Sequence, residues 1–429
     1  MEGDVRRSLD AFLAARGSEL IALRRDLHAH PETAHAEHRT TRVVAERLTA
    51  AGLHPVVLPR GTGLLVDISA ANNHYPERTV VALRADLDAL PMMDEKDVPY
   101  RSTIPGACHA CGHDVHTTVL VGAGLFLAEQ ARAGLLPGPV RLIFQPAEEE
   151  DDGAPSVIAA GGLESVGRIF ALHCDPRLDV GKLGIRSGPI TAACDHIKVT
   201  VSGPGGHTAR PHLTADVVYA LAKIVTELPA ALSRRVDPRS SLSLVWGRMN
   251  AGSALNAIPN KGVAEGTVRC LDEEAWAAAP ALVDELIRSV AGAYRATVEL
   301  DYQQNIPPTV NEAASAAMFA TAAESVLGPD GVTHTQQSLG AEDFAWYLGT
   351  VPGALARLGT RPPGGPDRDL HQPSFDVDER AIGVGISVMV ATALTALWRS
   401  ASAPEPPEPP GAPGSASRGH LAGAAEGER

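Results

Sequence analysis

The chain has 429 residues, 44% of them hydrophobic, and can bury a substantial core divided between two or three domains. Lys and Arg number 37 against 51 Asp and Glu. The resulting formal net charge of −14, without a basic block, disfavours nucleic acid or an anionic membrane as a partner. The five cysteines are irregularly spaced and the N-terminus lacks the apolar core of a signal peptide, so we predict a soluble, cytoplasmic protein without a disulfide framework.

The first part of the chain alternates between helical and strand patterns. Residues 8–29 carry apolar side chains at helical spacing and predict an opening helix. Short apolar runs at 78–88, 140–149 and 168–175 end abruptly in polar residues and predict strands, with helical patterns such as 115–134 between them. This alternation predicts an α/β sheet that is at least partly parallel, in which sites gather at the carboxyl ends of the strands.

The middle of the chain follows a different pattern. Its predicted order is strand, helix, strand, strand, helix, strand, which is the βαββαβ order of a ferredoxin-like sandwich. We predict that this unit is an inserted domain spanning 189–305, with Thr214 as the N-cap of its first helix. Residues 1–188 and 306–402 then form one catalytic domain around the insert.

The last part of the chain returns to the α/β pattern. We predict a helix near 311–327, a short apolar segment at 354–360 and a final helix at about 378–399. The apolar stretch 383–398 is shorter than the ~20 residues of a membrane span, so a buried helix is expected. Residues 403–429 are rich in Pro, Gly, Ser and Ala and predict a disordered tail.

The stretch HACGHDVH at 109–116 concentrates three histidines, a cysteine and an aspartate in eight residues. A structural zinc site usually has a second paired Cys or His cluster, and the chain shows none. A catalytic metal site that gathers further ligands from distant strand ends therefore fits better. Cys111 could bridge two cations as a thiolate, or it could equally be a small buried residue.

Further candidate side chains follow the other apolar runs. Five consecutive acidic residues occupy 148–152, directly after a predicted strand. Such a run is usually a solvated loop, but two adjacent glutamates at a sheet edge could serve as metal ligand and general base. His173 ends another apolar run, where a histidine is ordinarily a core residue, and His371 lies in a polar loop before the last helix.

Nine motifs, in order, carry a family resemblance between about residue 20 and residue 398. They are LRRDLHAHPE (23–32), LRADLDALPM (83–92), HACGHDVHTT (109–118), FQPAEEE (144–150), ALHCD (171–175), GPGGHTARPH (203–212), GSALNAIPN (252–260), GAEDFAWYL (340–348) and LHQPSFDVDE (370–379). Together they resemble the M20 metallopeptidase family, and more narrowly its amidohydrolase branch of hippurate, N-acyl-amino-acid and auxin-conjugate hydrolases. The resemblance implies a mixed-sheet α/β catalytic domain with an inserted ferredoxin-like lid and dimerisation domain.

The resemblance also implies a binuclear metal centre. The implied ligands, with the cysteine bridging two divalent ions, are Cys111, His113, Glu149, His173 and His371. This soft, nitrogen-rich set suits Mn, Zn, Co or Ni better than Mg or Ca. Glu148 matches the general base, which takes a proton from the attacking water and passes it to the leaving amine.

Other matched residues are expected to support these ligands. Asp86 matches the aspartate that orients a metal-bound histidine, and Arg84, in the same motif, is not a ligand. His207 is the candidate donor to the oxyanion, and in dimeric relatives the matching histidine comes from the partner subunit's lid. Without that role it would be a turn residue after two glycines. Asn256 and Arg210, in the same region, are implied to bind substrate.

Several histidines near these motifs are expected to be structural or peripheral. They are His28, His30, His35 and His38, whereas His109 and His116, which flank the metal motif, are expected not to be ligands. The chain departs from the branch at 150–152, where acids replace a commonly glycine-rich loop, and at Val115, where glycine is common. Neither change removes a predicted ligand, so both bear on substrate preference only.

The leading hypothesis is a metal-dependent amidohydrolase that cleaves the amide bond of N-acyl amino acids or related small N-acyl amides. One alternative is a dipeptidase or aminopeptidase of the same family. Cys111 and His173, which stand in place of carboxylates, argue against it. A catalytically silent metal-binding relative is another, although Glu148 and every predicted ligand are retained. The resemblance further implies a homodimer through the lid domain, and no nucleic-acid or membrane partner is expected.

Overall fold

The structure is a computed structural model that describes residues 3–69, 80–366 and 368–402. The predicted tail at 403–429 and the first two residues of the predicted strand at 78–88 lie outside the described residues. The α-helices of the described chain are α1 (Gly3–Ala29), α2 (His38–Ala50), α3 (His113–Arg132), α4 (Gly153–Ala159), α5 (Val217–Arg235), α6 (Glu273–Gly292), α7 (Ala313–Leu327), α8 (Ala345–Leu348) and α9 (Arg380–Ser402).

The strands, in chain order, are β1 (Val56–Val57), β2 (Leu64–Ile68), β3 (Val80–Asp86), β4 (Val140–Gln145), β5 (Val166–Asp179), β6 (Leu183–Ile185), β7 (Gly188–Thr191), β8 (Ala193–Ser202), β9 (Gly206–His207), β10 (Ser243–Ala251), β11 (Ala257–Ile258), β12 (Lys261–Cys270), β13 (Thr297–Ile306), β14 (Thr309–Asn311), β15 (Val332–His334) and β16 (Gly353–Arg361). The helices and strands named from the sequence are present, with ends shifted by a few residues.

An eight-stranded sheet forms the larger part of the molecule. Its strand order is β1-β2-β4-β3-β5-β16-β6-β15. The central strands β4, β3, β5 and β16 are parallel to one another, and antiparallel pairs join β2 to β4 and β6 to β16. The sheet is therefore mixed, as predicted, and the carboxyl ends of its parallel strands meet at a common edge.

Both faces of this sheet are covered. Leu142 and Phe144 of β4 belong to a core shared with α1, α3 and α9, whereas Ile143 between them packs with α4 and α8 on the other face. Because the central strands are buried on both faces, they read in the sequence as continuous apolar runs and not as alternating ones.

The last helix, α9, is the one described helix that is long and apolar enough to cross a membrane, over Arg380–Arg399. Within that window, 72% is buried inside the protein, where the helix packs between α3 and α7. The prediction of a buried helix is therefore confirmed. All five cysteines are free, which agrees with the prediction that no disulfide framework exists.

A second, four-stranded sheet lies over residues 193–306. Its order is β10-β12-β8-β13, every pair is antiparallel, and α5 and α6 pack on one face over an apolar core. In chain order the elements run strand, helix, strand, strand, helix, strand. Two short ladders, β9 with β11 and β7 with β14, flank this unit.

The N-cap of α5 differs from the prediction. Asp216, and not Thr214, caps this helix by accepting a hydrogen bond from the Tyr219 amide at 3.1 Å. A short 3₁₀ turn at Pro211–Leu213 precedes the helix, and the Thr214 hydroxyl donates back to the Pro211 carbonyl oxygen at 3.1 Å. The threonine side chain is therefore used by the turn and is not available to the helix.

Candidate active site

A cavity of about 510 Å³ opens beside the carboxyl ends of the parallel strands. Its lining includes Cys111, Glu148, Glu149, His173 and His371, and each of them was singled out from sequence motifs. The fold therefore brings together side chains that lie far apart in the chain, at the sheet edge where the sequence predicts a site.

A glycine at the start of α3 positions two of the candidate ligands. Gly112 has a φ of 92°, and a Cβ atom at this position would lie 2.8 Å from Cys174 Sγ. Backbone conformation and space thus both exclude a side chain. The turn places the Cys111 thiol 3.4 Å from His173 Nε2 and makes His113 the first residue of the helix.

The two glutamates are held by backbone contacts just beyond β4. Ala147 has a φ of 53°, which is uncommon for a residue with a side chain, and its amide donates to the Glu37 carboxylate at 2.8 Å. The next two amides, of Glu148 and Glu149, donate to the two carboxylate oxygens of Asp88 at 3.1 and 3.0 Å. These buried acceptors fix the directions in which both glutamate side chains leave the backbone.

The rings of two buried histidines are oriented by backbone carbonyl groups. His113 Nδ1 donates to the Asp88 carbonyl oxygen at 2.9 Å, and His173 Nδ1 donates to the Cys174 carbonyl oxygen at 2.8 Å. When Nδ1 carries the proton of a neutral imidazole, Nε2 carries the free lone pair. Both Nε2 atoms are therefore prepared to act as metal ligands.

The cluster contains buried polar atoms without partners. Within the part of the chain that the structure describes, His113 Nε2 and Glu149 Oε1 form no hydrogen bond. They lie 3.9 Å apart, and Glu149 Oε1 lies 3.3 Å from His371 Nε2. Two sets of donor atoms, Cys111–His113–His173 and Cys111–Glu149–His371, each lie within 4.8 Å of one another. Buried polar atoms normally have partners, so two unpaired atoms within converging sulfur, nitrogen and carboxylate donors fit a transition-metal ion.

Burial and crowded negative charge change the acidity of this cluster. Burial, followed by the carboxylates of Glu342, Glu149 and Asp343, raises the pKa of Glu148 well above its ordinary value. Burial, followed by the carboxylates of Glu149, Glu148 and Asp86, also raises the pKa of the Cys111 thiol. A nearby cation favours the charged forms of both groups, which is the effect that a bound metal ion has on such a site.

Asp86 does not make the contact that the resemblance implies. Its carboxylate lies 3.8 Å from His113 Nδ1, whereas it accepts hydrogen bonds of 2.6 Å from both His116 and Arg84. The strand ends at Asp86, and Asp88, two residues further on, makes the orienting contact with His113 instead. Burial by itself would lower the pKa of His113. The charge of Asp86 and the contact with Asp88 nevertheless raise this pKa to about 10.

The neighbouring histidines have other partners. His116 uses both ring nitrogens, since Nδ1 donates to Asp86 and Nε2 accepts from the Cys174 amide at 2.8 Å. His28 is fully buried and lies 2.7 Å from the Asp114 carboxylate. The protein itself thus supplies partners for both rings.

His207, Asn256 and Arg210 do not line the cavity. All three are exposed. His207 lies in β9, which pairs with β11, and the Thr208 amide donates to the Asn256 carbonyl oxygen at 3.2 Å. The structure thus brings His207 and Asn256 close to each other, but not to the buried cluster of the same chain.

Three residues of the site were not singled out from the sequence. Asp88 and Glu342 stand inside two of the quoted motifs, LRADLDALPM and GAEDFAWYL, so attention to every acid in a motif would have found them. Arg357 lines the cavity and is only 7% exposed. Its signal was a lone charge within the apolar run 354–360, which predicts an inward-facing cation.

Comparisons with known proteins agree with this geometry. Peptidase family M20/M25/M40 matches residues 82–395. The crystal structure of the YXEP protein of Bacillus subtilis, described as a dinuclear metal-binding peptidase of the M20 family, has a TM-score of 0.79 and 31% identity, covering 90% of this chain and 99% of that one. The chain belongs to the M20 family.

Two curated relatives resemble this chain over most of its length. The N-acetyl-L-cysteine deacetylase of Bacillus subtilis is 36% identical over 370 residues, covering 86% of each chain. A Rhodococcus jostii protein named as a glutamate–cysteine ligase 2-3 is 47% identical over 374 residues, which are 87% of this chain. This chain spans only 46% of that larger protein, so the likeness is to one part of it.

Proposed function

We propose that this protein is a metal-dependent amidohydrolase that removes the acyl group from N-acyl amino acids by hydrolysis. The observation that supports it most directly is a cluster of one thiol, three imidazoles and two glutamates at one cavity, in which His113 Nε2 and Glu149 Oε1 are buried without a partner among the described residues. An N-acetyl-L-cysteine deacetylase among the relatives favours this reaction over peptide cleavage. The retention of Glu148 and of every predicted ligand argues against a silent relative.

The donor sets support a binuclear centre. Cys111 belongs to both sets, with His113 and His173 on one side and Glu149 and His371 on the other. A shared thiolate between two sets is the arrangement expected for two bridged divalent ions, and the soft ligands favour Mn, Zn, Co or Ni. Bound there, the ions would activate a water molecule and polarise the amide carbonyl group.

Glu148 is the residue we assign to proton transfer. Its carboxylate is buried, lies 3.9 Å from His113 Nε2 and lines the cavity. It accepts the proton of the attacking water and donates it to the amine that leaves. Asp88 holds the amides of Glu148 and Glu149, so the base and the ligand keep a fixed separation during the reaction.

The smaller sheet serves, in this proposal, as a ferredoxin-like lid that mediates a homodimer. Its strand and helix order and its four-stranded sheet support that assignment. His207, with Asn256 beside it and Arg210 following, would reach the cavity of the partner subunit and donate to the developing oxyanion. Their exposure and their absence from the cavity of their own chain support this arrangement. We place the protein in the cytoplasm, where its five free cysteines stay reduced.

The test is amine release from a panel of N-acetyl amino acids, beginning with N-acetyl-L-cysteine, by the Mn- or Zn-loaded protein. Wild type should release the amine, and Glu148→Gln should reduce kcat by at least about 1000-fold, because the substituted amide cannot accept the proton. Metal content, measured by inductively coupled plasma mass spectrometry, should stay unchanged in the variant.

Glu164→Gln is a matched control, since Glu164 lies outside the cavity lining. It should hydrolyse the same substrates as wild type. Hydrolysis that persists in Glu148→Gln would remove Glu148 from proton transfer. A metal-loaded wild type that cleaves dipeptides but no N-acyl amino acid would favour the peptidase alternative.

A further inference from the structure

Arg357 is a buried cation beside the candidate metal centre. It lies on β16 as the lateral neighbour of His173 on the parallel strand β5, and its side chain lines the cavity. Only 7% of the residue is exposed. Among the described residues, none forms a hydrogen bond or an ion pair with its guanidinium group. Such isolation is unusual, because burying an unpaired charge is strongly unfavourable.

The other buried arginines show how this fold normally treats such a group. Arg24 contacts Asp114, Asp376 and Glu379 at 2.7, 3.3 and 3.5 Å. Arg84 contacts Asp86, Glu342 and Asp343 at 2.6, 3.2 and 2.7 Å. Every buried arginine in the described chain other than Arg357 is therefore surrounded by carboxylates.

Glu342 and Asp175, the two carboxylates whose charge acts most on Arg357, have other cations beside them. Glu342 lies 3.2 Å from the Arg84 guanidinium, and Asp175 accepts hydrogen bonds from the amide and side chain of Arg177 at 2.9 and 3.2 Å. Burial lowers the pKa of Arg357 from its ordinary value, although a guanidinium stays protonated at neutral pH. Among the described residues, no carboxylate thus forms an ion pair with this buried cation at the cavity.

We propose that Arg357 binds the α-carboxylate of the N-acyl amino acid and so makes a free carboxylate a requirement for efficient hydrolysis. A guanidinium forms two parallel hydrogen bonds with a carboxylate, and such charged pairs are strong where water is excluded. Arg357 and His173 are neighbours on adjacent strands, which lie ~4.8 Å apart. A substrate carboxylate bound by Arg357 would therefore lie close to His173 and to the metal centre. The α-carboxylate is separated from the scissile amide nitrogen by a single carbon, which matches this short distance. The inference rests on the proposed deacylation.

The experiment compares N-acetyl-L-cysteine with N-acetyl-L-cysteinamide, which lacks the charge. Arg357→Met should lower kcat/KM for the carboxylate substrate by about 10- to 100-fold and leave the carboxamide within about threefold of wild type. Arg357→Lys keeps the positive charge but loses the planar guanidinium that can donate two parallel hydrogen bonds. Its kcat/KM for the carboxylate substrate should lie between those of wild type and Arg357→Met. Arg361→Met is the matched control on the same strand, because Arg361 pairs with Asp179 at 2.7 Å and does not line the cavity. It should keep the wild-type preference.

A second readout separates recognition from a structural role. Since no described residue pairs with Arg357, metal-free Arg357→Met should melt at the same temperature as wild type or higher. Equal losses on both substrates, or a lower melting temperature without a change in preference, would overturn the proposal.

A wild type that hydrolyses neither substrate contradicts the proposed function and leaves the carboxylate to be tested by binding. Calorimetric titration of N-acetyl-L-cysteine into metal-loaded Glu148→Gln, with and without Arg357→Met, then decides. Binding weakened about tenfold or more by the second substitution supports carboxylate recognition, and equal binding or none rejects it.

Discussion

The two sheets differ in how many charged side chains they bury. The eight-stranded sheet places Arg84, Asp86, Glu148 and Asp343 in its interior at the carboxyl ends of its strands. The four-stranded sheet packs on its helices through apolar side chains, and the one buried carboxylate within residues 193–306, Asp195, accepts hydrogen bonds from uncharged donors only. The larger sheet thus buries charge at the candidate site, whereas the smaller sheet contributes exposed polar residues.

The stability of the two regions should respond differently when an arginine is lost. Arg84→Met leaves Glu342 and Asp343 buried without their cation and should lower the free energy of unfolding by about 3–5 kcal/mol. Arg235→Met removes an exposed pair with Glu285 on the smaller unit and should change stability very little. Urea denaturation followed by circular dichroism measures both, and similar losses would contradict the contrast.

A subunit complementation experiment tests whether the exposed residues of the smaller unit act in the partner's cavity. His207→Ala and Glu148→Gln proteins should each lose at least about 100-fold in kcat. Co-expression should restore about a quarter of wild-type activity, because random pairing makes half the dimers mixed and each mixed dimer has one complete site. No recovery in dimers that size-exclusion chromatography shows to be mixed would place His207 outside the reaction.

Asp88→Asn tests how the larger sheet orients its cluster. The substituted amide presents an NH₂ group to one of two backbone amides, so Glu148 and Glu149 lose a shared acceptor. We expect kcat/KM and metal affinity to fall by about 10- to 100-fold. Asp67→Asn is the control, because Asp67 forms a partly exposed pair with Arg141 away from the cavity. Unchanged metal affinity in Asp88→Asn would show that the ligands hold their positions without it.

The smallest predicted effect concerns pH. Glu37 is fully buried, and burial raises its pKa to about 7, above the ~4.3 of an unfolded chain. Between about pH 5 and 7 the folded protein keeps a proton that the unfolded chain releases, so this contribution to stability falls as pH rises.

Glu37→Gln keeps an acceptor for the Ala147 amide and removes the charge. From pH 5 to 8, wild type should lose about 1–2 kcal/mol more of its free energy of unfolding than the variant. Parallel pH profiles from chemical denaturation would show that Glu37 is ionised in the folded protein throughout this range.

The sequence alone determined the order of elements and most of the candidate cluster. Apolar runs that end abruptly in polar residues predict strands with functional side chains at their carboxyl ends, and Cys111, Glu148, Glu149, His173 and His371 were found this way or through motif resemblance. These signals are local in the chain, because strand burial and turn requirements, such as that of Gly112, act on a few consecutive residues.

Only the tertiary structure decided which side chains are partners. The contact of His113 falls to Asp88 and not to Asp86, and the helix cap falls to Asp216 and not to Thr214. The isolation of Arg357 is equally invisible in the sequence, since it depends on Glu342 and Asp175 having other cations. Pairing between charged groups depends on distances across strands and loops, and residues close in space here are far apart in the chain.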